Sequence, residues 1–226
     1  MDIARTPATP DGNPEMADAP PRPAEPPLIR REDYKPFPWR VPEVSLDFSL
    51  GLSKTRIRAT LLVERNPEAE ASSTLRLNGD ELSPIEVSVD GQAINSWAMD
   101  GDDLCITLPG ERPEVEIVTE CSYMHTGEGL HRFTDPVDGR VYLHTQFETA
   151  DAHRVYACFD QPDLKTTFEL EVIAPADWQV VTVTAPDHAP SEIADDPATT
   201  DRSRWHFPAS KPLSTYVTAV VAGPYH

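Results

Sequence analysis

The sequence has 226 residues, of which 39% are hydrophobic and 25% charged, a composition typical of a globular protein. Its 38 acidic and 19 basic residues give a formal net charge of −19 at pH 7. A polyanion repels phosphate backbones and anionic lipids, and no apolar run approaches the roughly 20 residues that span a bilayer, so nucleic-acid and membrane partners are not expected.

The first segment, residues 1–30, is rich in proline, alanine and acidic residues. Eight of the 24 prolines lie within residues 1–27. Such a segment buries too little apolar surface to offset the entropy lost on ordering, so we predict a disordered tail before a folded domain at residues 31–226. The first residues also lack the apolar stretch of a secretory signal.

The segment after Tyr34 changes in character, because Phe37, Trp39 and Val41 alternate with Pro36, Pro38 and Arg40. Proline cannot donate to a sheet, so this pattern predicts an extended strap that lies outside the central strands. Five later runs alternate apolar and polar residues with period two, which predicts strands with one buried face. The apolar residues expected to face inward are Val44, Leu46, Phe48 and Leu50; Ile57, Ala59, Leu61 and Val63; Ile85, Val87 and Val89; Phe168, Leu170 and Val172; and Val217, Ala219 and Val221.

Short turn signals separate these runs, among them Asn78-Gly79-Asp80, Asp90-Gly91, Asp100-Gly101-Asp102 and Asp138-Gly139. No segment repeats apolar residues with helical spacing over three turns. Many short strands joined by tight turns predict an all-β fold, an antiparallel sandwich or an open, curved sheet. The acidic stretch 191–201 is predicted to form a long exposed loop.

Few signatures of chemistry are present. The sequence contains no glycine-rich phosphate loop, no G-x-S-x-G motif and no histidine pair spaced H-x-x-x-H. A zinc site built from Cys121, His125, His131 or Cys158 lacks the close cysteine pair that would support it, so no metal or cofactor is expected in this chain. Three cysteines also give no disulfide framework, which favours a cytoplasmic protein.

Residues 139–168 stand apart from the rest of the sequence. If the strand continues, Gln146 and Glu148 lie on one face, where they would accept hydrogen bonds from a cation while Phe147 faces the core. Arg154, Asp160, Asp163 and Lys165 add paired charges around the turn at 160–163. The alternative interpretation is a solvated strand edge followed by an ion-paired turn.

Residues 145–168 and three flanking segments also carry short motifs in a fixed order. The central motifs are Thr145-Gln146-Phe147-Glu148, Ala150-Asp151-Ala152, Arg154, Cys158-Phe159-Asp160, Pro162-Asp163 and Lys165–Phe168. The flanking segments are 75–82, 174–178 and 213–225. Together these motifs resemble the N-terminal domain of the M1-family zinc aminopeptidases, the aminopeptidase N group, over about residues 34–226.

The resemblance implies a saddle-like β-domain that recognises substrate rather than hydrolysing it. In the family, the residue matching Glu148 accepts hydrogen bonds from the α-ammonium group of the peptide, and the residue matching Gln146 lines the same S1 region. Zinc and an H-E-x-x-H motif lie in a separate catalytic domain, and that motif does not occur in these 226 residues. The implied partners are an M1 catalytic domain, in cis or in trans, and peptide N-termini, and no hydrolytic activity is expected from this chain alone.

The sequence departs from the family pattern at Gln161, where the family usually has glutamate. Three hypotheses stay open at this point. The chain is the N-terminal domain of an M1 aminopeptidase, as a fragment or a split gene product, or it is a stand-alone binding module that kept this fold. An unrelated acid–base hydrolase using Glu148 and Asp151 is the third, although neither residue has a visible partner base.

Overall fold

A computed structural model describes residues 30–31, 34–80, 82–193 and 201–225. The chain divides into two units, Met1–Tyr34 and Lys35–His226, and all described strands belong to the second. Of the first unit, Arg30, Arg31 and Tyr34 are described, and all three are exposed. The predicted disordered tail therefore lies outside the described residues apart from Arg30.

The described residues form fifteen β-strands, with short 3-10 helices at Ala152–Arg154 and Thr215–Val217. The all-β prediction is therefore confirmed. The strands are β1 Trp39–Leu50, β2 Lys54–Arg65, β3 Thr74–Asn78, β4 Ser83–Val89, β5 Gln92–Ala93, β6 Trp97–Asp100, β7 Asp103–Thr107, β8 Glu114–Ser122, β9 Gly129–Thr134, β10 Val141–Gln146, β11 Thr167–Pro175, β12 Gln179–Thr182, β13 Ser191–Glu192, β14 Arg202–Phe207 and β15 Val220–Gly223.

The strands form three sheets around one hydrophobic core. The large sheet has the order β13-β14-β11-β1-β2-β8-β4-β5, and the smaller sheets have the orders β12-β15-β10-β9 and β3-β7-β6. Buried side chains of all three sheets, such as Leu46, Leu104 and Leu143, belong to the same core cluster. Each fully buried side chain of this size stabilises the fold by about 1.5–3 kcal/mol.

The alternating pattern is confirmed in the centre of the large sheet. The apolar residues predicted to face inward in β1, β2 and β11 are all buried. The sheet is not wholly antiparallel, however, because β1 pairs with β11 in parallel, from Glu43↔Thr167 to Ser49↔Ile173. A parallel neighbour requires a long crossover connection, and period-two alternation does not report strand direction.

The predicted strap is wrong for Trp39–Val41, which form the first residues of β1. The pairing of β1 with β2 shifts register between Arg40 and Glu43, so the missing N–H of Pro42 falls at a bulge. Trp39 is buried, its Nε1 donates to the Thr74 carbonyl oxygen at 3.2 Å, and the Arg65 guanidinium lies 3.9 Å from the centre of its ring. This end of β1 is thereby fixed to the core.

The inward-facing residues were predicted wrongly in two other segments. Ile85 is 51% exposed because a register shift between Pro84 and Glu86 in the β4–β8 pairing moves it to the outer face, although Val87 and Val89 are buried as predicted. Near the C-terminal end, Val217 is exposed in a 3-10 helix, and the buried aliphatic side chains are those of Val220 and Ala222 rather than Val217, Ala219 and Val221. In both segments a local irregularity shifts the alternation by one residue.

The loop predicted at 191–201 is wrong for Ser191–Glu192, which form β13 and pair with β14. Its central part, residues 194–200, lies outside the described residues. All three cysteines are described, and none of them forms a disulfide. None of the described helices is long and apolar enough to cross a membrane.

Candidate functional site

Gln146 and Glu148 lie together where β10 ends. The strand stops at Gln146 and the chain enters a turn at 148–151, so the predicted continuation of the strand to Glu148 is wrong. The two side chains nevertheless share one surface, because both are exposed and Gln146 Nε2 donates to the Glu148 carbonyl oxygen at 3.3 Å. Phe147 between them is buried, as predicted.

Buried anchors on both sides of the turn hold it against the core. Phe147 packs edge-on against Tyr156, with ring centroids 6.2 Å apart, and its carbonyl oxygen accepts from the Asp151 N–H at 3.1 Å. Ala152 begins the 3-10 helix that follows, Val155 comes directly after it, and both are fully buried. The backbone is therefore fixed, and the glutamate side chain has only its own rotamers to lose on binding a ligand.

A row of rings, the histidine–aromatic row, lies beside Gln146 on the same face of the four-stranded sheet β12-β15-β10-β9. It consists of His131, Phe133, Tyr142 and His144, which lie on one face because His144 pairs with His131 and Tyr142 with Phe133. The centroids of these two pairs lie 4.9 and 5.4 Å apart. Burial, and then the neighbouring His144 and His125, lower the pKa of His131, which favours the uncharged ring at neutral pH.

Arg154 is enclosed by carboxylates. Its guanidinium lies 3.1 Å from Glu128, 3.4 Å from Asp151 and 4.0 Å from Asp80. The prediction that Arg154 pairs with the charges around the turn at 160–163 is therefore wrong. Three carboxylates share one cation here, so the surroundings of Asp151, in the same turn as Glu148, carry excess negative charge that favours a cationic ligand.

Asp160 is a structural residue whose role the sequence did not reveal. Its side chain is 2% exposed and accepts hydrogen bonds from the backbone N–H of His153 at 3.1 Å, from His153 Nδ1 at 2.7 Å and from Thr215 Oγ1 at 2.6 Å. Its own N–H donates to Asn78 Oδ1 at 3.0 Å. The carboxylate thus joins both 3-10 helices, and β3 is joined to them through the backbone.

Hydrogen bonding determines the protonation of Asp160 and His153. Burial alone would raise the pKa of Asp160, but the hydrogen bonds from His153 and Thr215 outweigh it and lower the pKa. The hydrogen bond to Asp160 raises the pKa of His153. Both shifts favour an ion pair. The turn itself is closed by a hydrogen bond that the Gln161 amide Nε2 donates to Asp163 Oδ1 at 2.7 Å.

Gln146 and Glu148 lie on the exposed surface of the described part of the chain. Cavities of about 270 and 580 Å³ border Phe159, and neither is lined by Gln146 or Glu148. A small ligand held by these two side chains would therefore remain in contact with water unless a second body covered it.

Among the described residues, Cys121, His125, His131 and Cys158 are not brought together as a group of candidate metal ligands. Cys158 is buried, which raises the pKa of its thiol well above the usual value, and the Cys121 sulfur lies 3.8 Å from the Arg154 carbonyl oxygen. Within the described ranges, the one group of three or more candidate metal ligands is Asp187, His188 and His206. That group lies outside the segment containing Gln146 and Glu148.

Gly129, which pairs with Gln146 in the sheet, supports a first prediction. Gly129 and Gly101 have φ angles of +62° and +63°. Alanine therefore costs about 1–2 kcal/mol of backbone strain at each of the two positions. At 129 the new Cβ would also collide with the Met124 sulfur, whereas nothing lies within 4 Å at 101. We expect Gly129→Ala to lower the free energy of unfolding by about 1–3 kcal/mol more than Gly101→Ala in urea titrations. Equal losses would show that Met124 moves aside freely.

The chain is similar in sequence to known proteins. A family model described as the peptidase M1 N-terminal domain matches residues 42–217. Aminopeptidase N of Streptomyces lividans is 42% identical over 153 residues, which cover 66% of this chain and 15% of that protein. Aminopeptidase N of Escherichia coli strain K12 is 28% identical over 146 residues, covering 64% and 16%.

A further relative is probable M1 family aminopeptidase 1 of Encephalitozoon cuniculi, which is 36% identical over 95 residues, covering 42% of this chain and 10% of that protein. The chain thus spans between 10 and 16% of the length of these three relatives. The family match, by contrast, runs from β1 through the 3-10 helix at Thr215–Val217. Because it covers most of the described fold, the chain belongs to the peptidase M1 N-terminal domain family.

Proposed function

We propose that this chain is the substrate-recognition domain of an M1 aminopeptidase, in which Glu148 and Gln146 bind the free amino group of a peptide. The observation that carries the proposal is the exposed pair of side chains at the end of β10, held by the buried Phe147 between them. A charged ammonium group taken out of water needs anionic or strongly polar acceptors at close range. A carboxylate and an amide oxygen at one turn meet that need.

The proposal also includes a catalytic domain as partner. The pair lies on open surface, so a peptide N-terminus bound there would be enclosed only by a second body. The relatives named aminopeptidase are far longer than this chain, which leaves room for such a domain. Zinc held by that domain would supply the activated water. The H-E-x-x-H motif that binds this zinc does not occur in the 226 residues of the sequence.

Specificity for the end of a chain follows from the charge. An internal peptide nitrogen is uncharged and carries one hydrogen, so it gains little from a carboxylate, whereas a free α-ammonium group donates up to three hydrogen bonds. The carboxylates around Arg154 add to the attraction over a longer range. We therefore expect an exopeptidase that rejects N-acetylated substrates. The predicted cytoplasmic location stays a prediction.

A chimera tests this proposal. The N-terminal domain of the Streptomyces lividans relative is replaced by residues 1–226, and the native domain re-joined through the same junction serves as control. We expect the chimera to hydrolyse an aminoacyl arylamide and to spare its N-acetyl derivative. A folded chimera without activity, beside an active control, would contradict the proposal and favour a stand-alone binding module.

A further inference from the structure

Four polar side chains meet at one edge of the large sheet. His206 lies on β14, which pairs with β11 in the register Glu171↔His206, so Glu169 lies two residues away on the same face. Asp187 and His188 come from the segment between β12 and β13. Thr184 Oγ1 donates to the Pro208 carbonyl oxygen at 3.1 Å and ties that segment to the end of β14.

Asp187 lies between the two histidines. Its Oδ2 is 2.9 Å from His206 Nδ1, and its Oδ1 is 3.4 Å from His188 Nε2. The imidazole rings are nearly parallel, with an angle of 13° and centroids 5.9 Å apart. One ligand atom from each of the three residues lies within 4.8 Å of the others.

The outer nitrogens of both rings are already held by acceptors. His206 Nε2 is 2.8 Å from Glu169 Oε1, and His188 Nδ1 is 2.9 Å from the Ala189 carbonyl oxygen. Both contacts favour a hydrogen on the outer nitrogen, so an ion would bind the inner nitrogens that face Asp187 and displace the hydrogen that His206 Nδ1 shares with Asp187 Oδ2. Metal-bound histidines are held in this manner, with one nitrogen on the ion and the other donating to a carboxylate or a carbonyl.

We propose that Asp187, His188 and His206 form a binding site for a divalent transition-metal ion of the zinc class, with Glu169 orienting the His206 ring. Two imidazoles and one carboxylate are a donor set that suits zinc, copper and nickel rather than magnesium or calcium. Tetrahedral ligands about 2.0–2.2 Å from zinc lie about 3.3–3.6 Å apart. The nitrogen–oxygen distances of 2.9 and 3.4 Å and the overall spacing of up to 4.8 Å reach this geometry with small movements of the exposed side chains. Water would complete the coordination, because the cluster is exposed.

The local sequence supports a preorganised site. Pro186 and Pro190 flank Asp187 and His188, and their fixed φ angles reduce the freedom that the segment loses when it binds an ion. The site departs from the expectation that this chain holds no metal. Sequence spacing could not indicate it, because His188 and His206 lie on different segments, which the Thr184–Pro208 hydrogen bond and the β13–β14 pairing hold beside each other.

A proton competes with the ion for the same nitrogens. A histidine nitrogen must lose its hydrogen before it can bind a metal ion. Metal binding must displace that proton, and we therefore expect zinc affinity to fall as the pH is lowered.

The test uses the full 226-residue chain, stripped of metal by a chelator and titrated with zinc in a calorimeter and with cobalt in an absorption spectrometer. We expect one zinc per chain. His188→Ala, in an exposed loop, should weaken binding at least tenfold, and Glu169→Gln by about 10-fold or more. The matched control is His144→Ala in the histidine–aromatic row, which should leave the affinity unchanged.

Three results would overturn the site. These are no zinc binding at millimolar concentration, equal affinity of His188→Ala and the wild type, or loss of binding in His144→Ala, which would place the ion on the other histidine group. Circular dichroism melting curves of each variant confirm that the compared proteins are folded. The cluster takes no part in amino-group binding. The proposal for Glu148 is therefore unaffected whether zinc binds at this cluster or not.

Discussion

Asp160→Ala is expected to lower the free energy of unfolding by about 3–5 kcal/mol, a large part of the about 5–15 kcal/mol that stabilises a typical domain. The carboxylate accepts three hydrogen bonds while almost fully buried, and its loss leaves the His153 imidazole and the Thr215 hydroxyl without their acceptor. Urea titration followed by tryptophan fluorescence measures the change.

The matched control is Asp163→Ala, three residues further along the chain. Asp163 is exposed and accepts one amide hydrogen bond, so its replacement should cost less than about 1 kcal/mol. Asp160→Asn keeps an acceptor for Thr215 but loses the charge, and it should fall between the two. Equal stability of Asp160→Ala and Asp163→Ala would show that His153 and Thr215 find other partners.

The pH dependence of stability distinguishes the ion pair from a neutral contact. The raised pKa of His153 gives a contribution that is complete below the unfolded value of about 6.5 and is lost as the pH rises through the folded value. The lowered pKa of Asp160 gives one that is present above about 3.9 and is lost as the pH falls through its folded value. The advantage of wild type over His153→Gln should therefore be largest between about pH 4 and 6.5 and decline towards pH 8.

Glu148→Ala, in the chimera with a catalytic domain, should lower kcat/KM by about 10- to 150-fold. A hydrogen bond between a carboxylate and an ammonium group contributes about 1.5–3 kcal/mol, which converts to that range. Glu148→Gln keeps an acceptor without the charge and should lie between. Gln146→Ala should cost less than Glu148→Ala, because a neutral acceptor contributes about half as much.

The control for charge alone is Glu86→Ala, an exposed glutamate on β4 of the large sheet. It should leave kcat/KM unchanged. Steady-state kinetics on one aminoacyl arylamide measure kcat/KM for all variants, and melting curves show that each variant is folded. Wild-type kcat/KM for Glu148→Ala in an active, folded chimera would remove Glu148 from the site and leave the family membership as a matter of fold.

The sequence predicted the buried faces of strands, which local alternation controls. It did not predict features that depend on how distant strands pair. The buried faces of β1, β2 and β11 follow from period two, since side chains of a strand point alternately to its two faces. Ile85 and Val217 fell on the wrong face because a bulge and a 3-10 turn shift the phase. Proline was taken as a sign against a strand at 39–41, although a bulge admits Pro42 within β1.

The sequence also predicted local contacts of the candidate site better than contacts between distant segments. Gln146 and Glu148 lie in one segment, so sequence spacing and the family resemblance placed them together. The contacts of Asp160 with Thr215, and of His206 with Asp187 and His188, join segments that are far apart in the chain. Such contacts depend on the sheet order and leave no periodic signal in the sequence.

The central position of β1 has a consequence for the order in which the sheet is built. Its antiparallel neighbour β2 begins at Lys54, directly after a tight turn, but its parallel neighbour β11 begins only at Thr167. A chain that grows from its N-terminus therefore carries one unpaired edge of β1 until the later strand emerges, and pairings of such long range close slowly. An unpaired edge can join a neighbouring chain. Pro42, which offers no N–H at the start of that edge, leaves one donor fewer for such a contact during synthesis.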